Sequence, residues 1–404
     1  MKKLKTIVFL LLLLFLAVII VLRTGFLSGP RTAVQTLPAA GQVTPEPKPT
    51  AAATPAPSPA PTPSPTPTPE PTPTPEPEPQ PEYFLISAIG DCTIASHQKI
   101  GANAPEAYGG RMGDDYSYPF HNTADIFKND ELTLANLECT LCDDYLYSEQ
   151  YFYFRAPTAY ANILIEGGVD FVTTANNHTN DFGQIGIDST CATLDEYHIP
   201  YGVEGQAQII TTPNGLKVGI YCDYNGYYPK TEKCVEAIQQ LKNDGAEYIV
   251  CMFHWGQTEG NYHPHDDQIA LAHACVDAGA NLIYGSHSHC LQPYEEYNGG
   301  LILYSMGNWT FGGSTSPRDM DTAIFQVSVK RDLDGTISND KFGVIPCCVS
   351  SLPVLEGYVD TAYNDYCPTP WQEGSEGYLR ALSKIEGTYE GYDLNVEYSS
   401  WLNS

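Results

Sequence analysis

From residue 82 onward, short apolar runs alternate with helical patterns. The runs EYFLISAI, LTLAN, VDFVTTA, KVGIYC, AEYIVCMF, ANLIYG, LILYSMG and TAIFQVSV predict strands, most of them buried on both faces. Between them, TEKCVEAIQQLKNDG sets Val235, Ile238 and Leu241 on one helical face and stops at Gly245. HDDQIALAHACVDAGA repeats the design, with an acidic first turn and Gly279 as its stop. Strand, helix, strand, helix is an α/β order.

The pattern before residue 82 is different. Three lysines within Met1–Lys5 precede an uncharged apolar run, Ile7–Leu22, of about 16 residues, close to the roughly 17–25 of a membrane span. No small-x-small cleavage site adjoins it, so residues 1–24 are expected to be an uncleaved signal anchor. The lysines then stay cytoplasmic and the rest lies outside, a single-pass topology; cleavage would make the chain secreted. Residues 25–82 are dominated by Pro, Thr, Ala and Glu, with proline at every second position in TPAPSPAPTPSPTPTPEPTPTPEPEPQPE. So many fixed φ angles and missing donors favour polyproline II and preclude a packed core. A folded domain over 83–345 and a C-terminal extension packing on it over 346–404 complete the expected organisation.

Composition narrows the partners. The formal charge is −28, nearly all of it in the folded part, which argues against nucleic acid. Twelve cysteines show no zinc-like spacing, and Cys139-x-x-Cys142 lacks a thioredoxin-like context. Cys222, Cys251 and Cys275 sit inside apolar patterns and are expected to be core thiols.

Candidate chemistry gathers where strands end. Successive runs lead into Asp91, into Glu138, into Asn176-Asn177-His178, into His254 and into Ser286-His287-Ser288-His289. In α/β sheets ligands collect outside the carboxyl ends of strands, so these five ends can converge. In an extended His287-x-His289 the two rings would point the same way. Asp91, Glu138, Asn177, His254, His287 and His289 make a mixed oxygen and nitrogen set, too large for one tetrahedral zinc and suited to two bridged divalent ions, Mn, Zn or Fe. Such pairs polarise electrophiles and generate hydroxide at neutral pH, so hydrolysis is the expected output.

The segments GD at Asp91, NLE at Glu138, ANNHTNDFGQIG, HWGQTE, GSHSHCLQPYE and YSMGNWTF occur in the order of the CapA family of poly-γ-glutamate capsule proteins. Over roughly Phe84–Phe311 the chain resembles that family, which is related to calcineurin-like metallophosphoesterases. The resemblance implies a four-layer α/β/β/α sandwich with a dinuclear metal site. It implies the six ligands above, with His178 as general acid oriented by Asp181. Ser286 and Ser288 stand where the family often has His and Pro, and Trp309 replaces the usual Phe. Asp91-Cys92-Thr93 lacks the histidine of the phosphoesterase Asp-x-His, which implies that one metal is held less tightly.

The resemblance makes poly-γ-glutamate or another envelope polymer the expected substrate, cleaved or transferred. A phosphoesterase acting on envelope phosphate, or a non-catalytic assembly or export factor beside a membrane synthase complex, are the alternatives. Arg155 is a candidate for a bidentate grip on a substrate carboxylate, or else a structural ion pair. His263 and His265 share the H-x-H spacing but precede a helix and are expected in a surface loop. His97 and His121 have no assigned role.

Overall fold

Sixteen strands, numbered along the chain, form two large sheets and one small ribbon in the computed structural model, which describes residues 79–97, 104–144, 147–226, 228–357 and 363–394. The anchor expected over 1–24, and the expected stalk as far as residue 78, lie outside the described residues. Among the described residues no helix is long and apolar enough to cross a membrane.

The first sheet contains β1 (Glu82–Thr93), β2 (Leu132–Leu137), β5 (Phe171–Thr173), β6 (Tyr201–Gly202), β13 (Asn308–Phe311), β14 (Asp321–Arg331), β15 (Ile337–Cys348) and β16 (Thr369–Pro370). Its order is β16-β15-β14-β1-β2-β5-β6, with β13 pairing to β1. The second sheet contains β7 (Gln206–Thr211), β8 (Lys217–Asn225), β9 (Tyr248–Trp255), β10 (Leu282–Ser286), β11 (Tyr294–Tyr297) and β12 (Gly300–Leu303), in the order β11-β12-β10-β9-β8-β7. The ribbon pairs β3 (Thr140–Leu141) with β4 (Arg155–Ala156).

Residue parity shows how the sheets stack, because side chains alternate faces along a strand. Phe84, Ile86 and Ala88 of β1 share a buried cluster with Tyr248, Val250 and Met252 of β9. The alternate residues Ile249, Cys251 and Phe253 instead pack against two helices, α2 (Thr231–Asn243) and α3 (Asp266–Ala278). On the far side of the first sheet, Ile89, Ala135 and Leu137 meet Leu194 of α1 (Gly183–Glu196) and the short helical segments Tyr108–Met112 and Ala161–Glu166. The layers are therefore helix, sheet, sheet, helix.

Three details depart from the sequence expectation. In α2 the buried face is Cys234, Ile238 and Leu241; Cys234 takes the place expected for Val235 because it stands four residues before Ile238, one turn below on the same face. β1 does not end at Gly90. It pairs antiparallel with β14 as far as Ala88, then parallel with β13 from Asp91 onward, so Asp91 lies within the strand. This change of neighbour brings bare backbone close: a Cβ on Gly90 would lie 2.1 Å from the Gly307 carbonyl oxygen, the atom that accepts the Asp91 N–H at 3.0 Å. Lastly, residue 345 falls inside β15, and the chain beyond it supplies edge strand β16 and helix α4 (Glu376–Ile385).

Helix α4 anchors itself with charge. Ala381 and Ile385 join the inter-sheet cluster, and Lys384, only 2% exposed, donates to both oxygens of Asp319 at 2.8 Å and to Asp321 at 2.7 Å. Arg380 grips Asp321 with two bonds of 2.7 Å. The cysteines are all free thiols and nearly all buried, Cys222, Cys251 and Cys275 among them.

Candidate metal centre

Asp91 in β1, Glu138 just after β2 and His254 near the end of β9 bring donor atoms from both sheets within 4.8 Å of one another. All three residues are fully buried. Two carboxylates in a dry pocket repel and lose hydration, so such a cluster is costly without positive charge.

A ladder of amides holds it. Asn136 Nδ2 donates to Asp91 Oδ1 at 2.8 Å, and Asn176 Nδ2 donates to Asn136 Oδ1 at 3.0 Å and to the Leu137 carbonyl at 2.9 Å. The Asn176 side-chain oxygen accepts the His178 N–H at 3.0 Å, which closes the turn after β5. Asn136 and Asn176 were given no role by sequence reasoning. Their signal was an amide at the end of two adjacent strands, where it tolerates burial only with a partner.

His254 Nδ1 lies 2.9 Å from Ser286 Oγ, closer than its 3.3 Å approach to Asn136 Nδ2. Ser286 Oγ also donates to the Phe253 carbonyl at 3.3 Å. Nε2 of His254 faces Glu138 Oε1 at 3.5 Å and His287 Nδ1 at 2.9 Å. Asp91 Oδ2 accepts the His287 N–H at 3.4 Å and lies 3.4 Å from His289 Nδ1. His289 Nδ1 also meets Asn308 Oδ1 at 2.8 Å.

The His287–His289 segment is not extended. His287 has φ +103° and His289 φ +55°, conformations that cost a non-glycine residue about 1–3 kcal/mol. The chain bends sharply after β10, and this bend, rather than a two-residue repeat, brings the ring centroids within 6.4 Å.

Burial and the neighbouring imidazoles push His254 well below its usual pKa and His287 down to about 4, so both are neutral. Burial also pulls on His289, but the Glu138 charge and the Asp91 bond outweigh it and raise it to about 10. Glu138 is raised, first by burial and then by the Asp91 charge. Oε1 of Glu138 and Oδ1 of Asn177 are buried acceptors with no hydrogen-bond donor. Orphaned oxygens beside neutral imidazoles fit a divalent cation.

His178 stands beside this cluster in the turn after β5. Its Nδ1 contacts Asp181 at 2.9 and 3.1 Å, and Asp181 also accepts the Phe154 N–H at 2.8 Å. Burial lowers the imidazole's pKa, yet the Asp181 bond and charge outweigh it and the net shift is upward. A cavity of about 260 Å³ opens here, lined by Asn177, His178, His289 and Asn308 and walled by Tyr151, Phe152 and Phe311.

The other expected residues sit elsewhere. Arg155 is not among the cavity's lining residues; its guanidinium donates to the Cys142 carbonyl at 2.7 Å, bracing the β3–β4 ribbon. His97 Nε2 meets the Tyr151 carbonyl at 3.0 Å and its ring stands 4.8 Å from that of Tyr153, so it supports the aromatic wall. His121 bonds Asp115 and Ser117 at the surface. His265 occupies the N-cap of α3, its N–H donating to Gln268 at 2.9 Å, and His263 is exposed.

The profile of the family described as "Bacterial capsule synthesis protein PGA_cap" matches residues 85–313. The chain is 26% identical over 276 residues to capsule biosynthesis protein CapA of Bacillus anthracis, an alignment covering 62% of this chain and 64% of that one. It is 28% identical over 239 residues to PGA biosynthesis protein CapA of Bacillus subtilis (strain 168), covering 54% and 62%. It thus spans a little under two thirds of the length of these relatives. Among solved structures, the calcineurin-like phosphoesterase YfkN from Bacillus subtilis superposes with a TM-score of 0.37 at 13% identity, covering 66% of this chain and 91% of that one. A score that low carries no argument, and the layered architecture rests on the sheets themselves.

Proposed function

The chain belongs to the bacterial capsule synthesis protein family PGA_cap, and on that premise we propose that it is a metal-dependent hydrolase or transferase of poly-γ-glutamate or a related envelope polymer. The observation that carries the metal-dependent reading is the pair of buried, donorless oxygens, Glu138 Oε1 and Asn177 Oδ1. They stand in a site that also presents the neutral imidazole of His254.

Asp91, Glu138, Asn177, His254, His287 and His289 are the proposed ligands of two divalent ions, Mn, Zn or Fe. Ions held by these residues would supply Lewis acidity toward the scissile carbonyl and would lower the pKa of water toward neutrality. The chain's own residues do the rest. Asn136 and Asn176 fix the carboxylate and the turn that carries His178. Asp181 holds His178 Nδ1, so Nε2 is the nitrogen that delivers a proton to the leaving amine as the C–N bond breaks. The upward shift of His178, owed to Asp181, favours the protonated form that this role needs. The aromatic wall excludes water from one side of the cavity. A membrane tether through residues 1–24, placing the domain outside the cell beside a synthase complex, is part of the same reading.

The test is to incubate the full chain in detergent with poly-γ-glutamate and, separately, with a generic phosphodiester, with and without Mn or Zn. Metal-dependent shortening of the polymer supports the reading. Cleavage of the phosphodiester alone moves it to a phosphoesterase. Inertness toward both, with capsule formation in cells surviving His178→Ala, moves it to an assembly factor.

A further inference from the structure

The cavity beside the metal donors has a chemistry that the ligands do not account for. At about 260 Å³ it falls just under the roughly 300–1,000 Å³ of pockets that bury a small molecule. It therefore receives one or two units of a polymer and not an extended stretch. Apart from histidine, its charged lining residues are Asp181, Glu259, Arg318 and Asp319. Asp181 is bonded to His178 and the Phe154 N–H, and Asp319 to Lys384. Arg318 is the one lysine or arginine among the described lining residues, in a chain whose net charge is −28. Any anion entering the cavity meets a repulsive domain field, which the Arg318 guanidinium opposes together with the histidines and the proposed metal centre.

The structure holds the backbone on both sides of this arginine. Pro317 precedes it with a fixed φ. Asp319 follows it, 6% exposed and clamped by the buried ammonium of Lys384. One guanidinium nitrogen donates to the Leu394 carbonyl at 3.3 Å, orienting the plane from the C-terminal segment. A guanidinium carries five donors in a planar fork that matches carboxylate or phosphate oxygens, which an ammonium does not.

Resting on the reading of this cavity as the substrate site of the metal centre, we propose that Arg318 is the specificity-determining residue that selects an anionic group, a carboxylate or a phosphate, on the substrate unit bound beside His178. Lys384 is a positioning residue for it, acting through Asp319. The apolar wall of Tyr151, Phe152 and Phe311 takes the carbon skeleton of the same unit.

Calorimetric titration of the Mn-loaded full chain tests this with three probes: a γ-glutamyl trimer, the same trimer with its carboxylates amidated, and inorganic phosphate. Arg318→Gln is expected to weaken the trimer about 10- to 100-fold, the range for charge-assisted hydrogen bonds. It should leave the amidated trimer within about twofold and the metal content unchanged, and Arg318→Lys should recover part of the loss. A loss confined to phosphate keeps Arg318 as the anion selector and assigns the anion to a phosphoryl substrate. Equal losses for the charged and amidated trimers, or no loss for either anion, overturn the proposal. The polymer-shortening assay separates this from the functional reading. An Arg318-dependent affinity without turnover removes the hydrolase and keeps the anion site, whereas unchanged affinity with intact turnover does the reverse.

Discussion

Exchanging Glu138 for Gln separates a metal ligand from an ordinary buried acceptor by whether its effect depends on metal. In chelator near neutral pH, burial and the Asp91 charge push Glu138 up to about 8, so its carboxyl is largely protonated. Glutamine keeps the shape, the neutral charge and the acceptor for the Thr93 hydroxyl, which stands 3.2 Å from Glu138 Oε2. Glu138→Gln should therefore change stability in chelator by no more than about 1 kcal/mol, the worth of one ordinary hydrogen bond. With Mn at 100 times its Kd the wild type gains about 2.7 kcal/mol from binding; a variant binding 100-fold more weakly gains only about 0.4 kcal/mol. The variant should therefore fall about 2 kcal/mol behind the wild type on adding metal. Urea unfolding at pH 7 followed by tryptophan fluorescence reads this, since Trp255 and Trp309 are buried. If Glu138→Gln changes stability by the same amount with and without metal, Glu138 is a structural acceptor and the proposed ligand set fails.

Four further outcomes are expected. His178→Ala should retain metal and fold but lose about 10²- to 10⁴-fold in rate, with Asp181→Asn losing less; single-turnover rates alongside elemental analysis check both. His289→Ala should lose metal where His263→Ala does not, because His263 is an exposed residue outside the donor cluster; equal losses would break the assignment. Lys384→Met should cost about 3–5 kcal/mol by stranding Asp319 and weakening Asp321. The same network sets a pH window. Burial raises Asp321, but its bonds to Arg380 and Lys384 outweigh that and lower it. Its contribution is then complete above the usual carboxylate value of about 3.9 and lost as pH falls through the depressed one, so the acid limb of urea midpoints should flatten in Asp321→Asn.

The strands buried on both faces, such as Tyr248–Trp255 with all eight residues buried, were legible as unbroken apolar runs. So were the strand ends that bring Asp91, Glu138 and His254 together, because polar residues that follow such runs stand out from the packing logic around them. β15 escaped notice: its half-exposed sequence ISNDKFGVIPCC mixes both faces with a polar N-terminal half, and no apolar run announces it. The continuation of β1 through Asp91 was equally hidden, since it depends on β13, more than 200 residues away. Left-handed backbone at His287 and His289 is imposed by the bend after β10, and nothing in H-S-H marks it. Arg155 and Arg318 look alike as isolated basic residues; tertiary placement alone sends one to the Cys142 carbonyl and the other to the cavity.

The buried pairing of Lys384 with Asp319 also has a consequence in time. Ribosomes add residues in order, at about 5–20 per second. His289, the last proposed ligand, precedes Leu394 by some hundred positions, so on the order of ten seconds separates their synthesis. During that interval a nascent chain owns every proposed metal donor, while the lysine that clamps Asp319 and the carbonyl that orients Arg318 do not yet exist. A chain cut short anywhere in that interval would carry the metal donors without the finished cavity wall. On the proposed role of Arg318, substrate selection therefore waits until synthesis has passed Leu394.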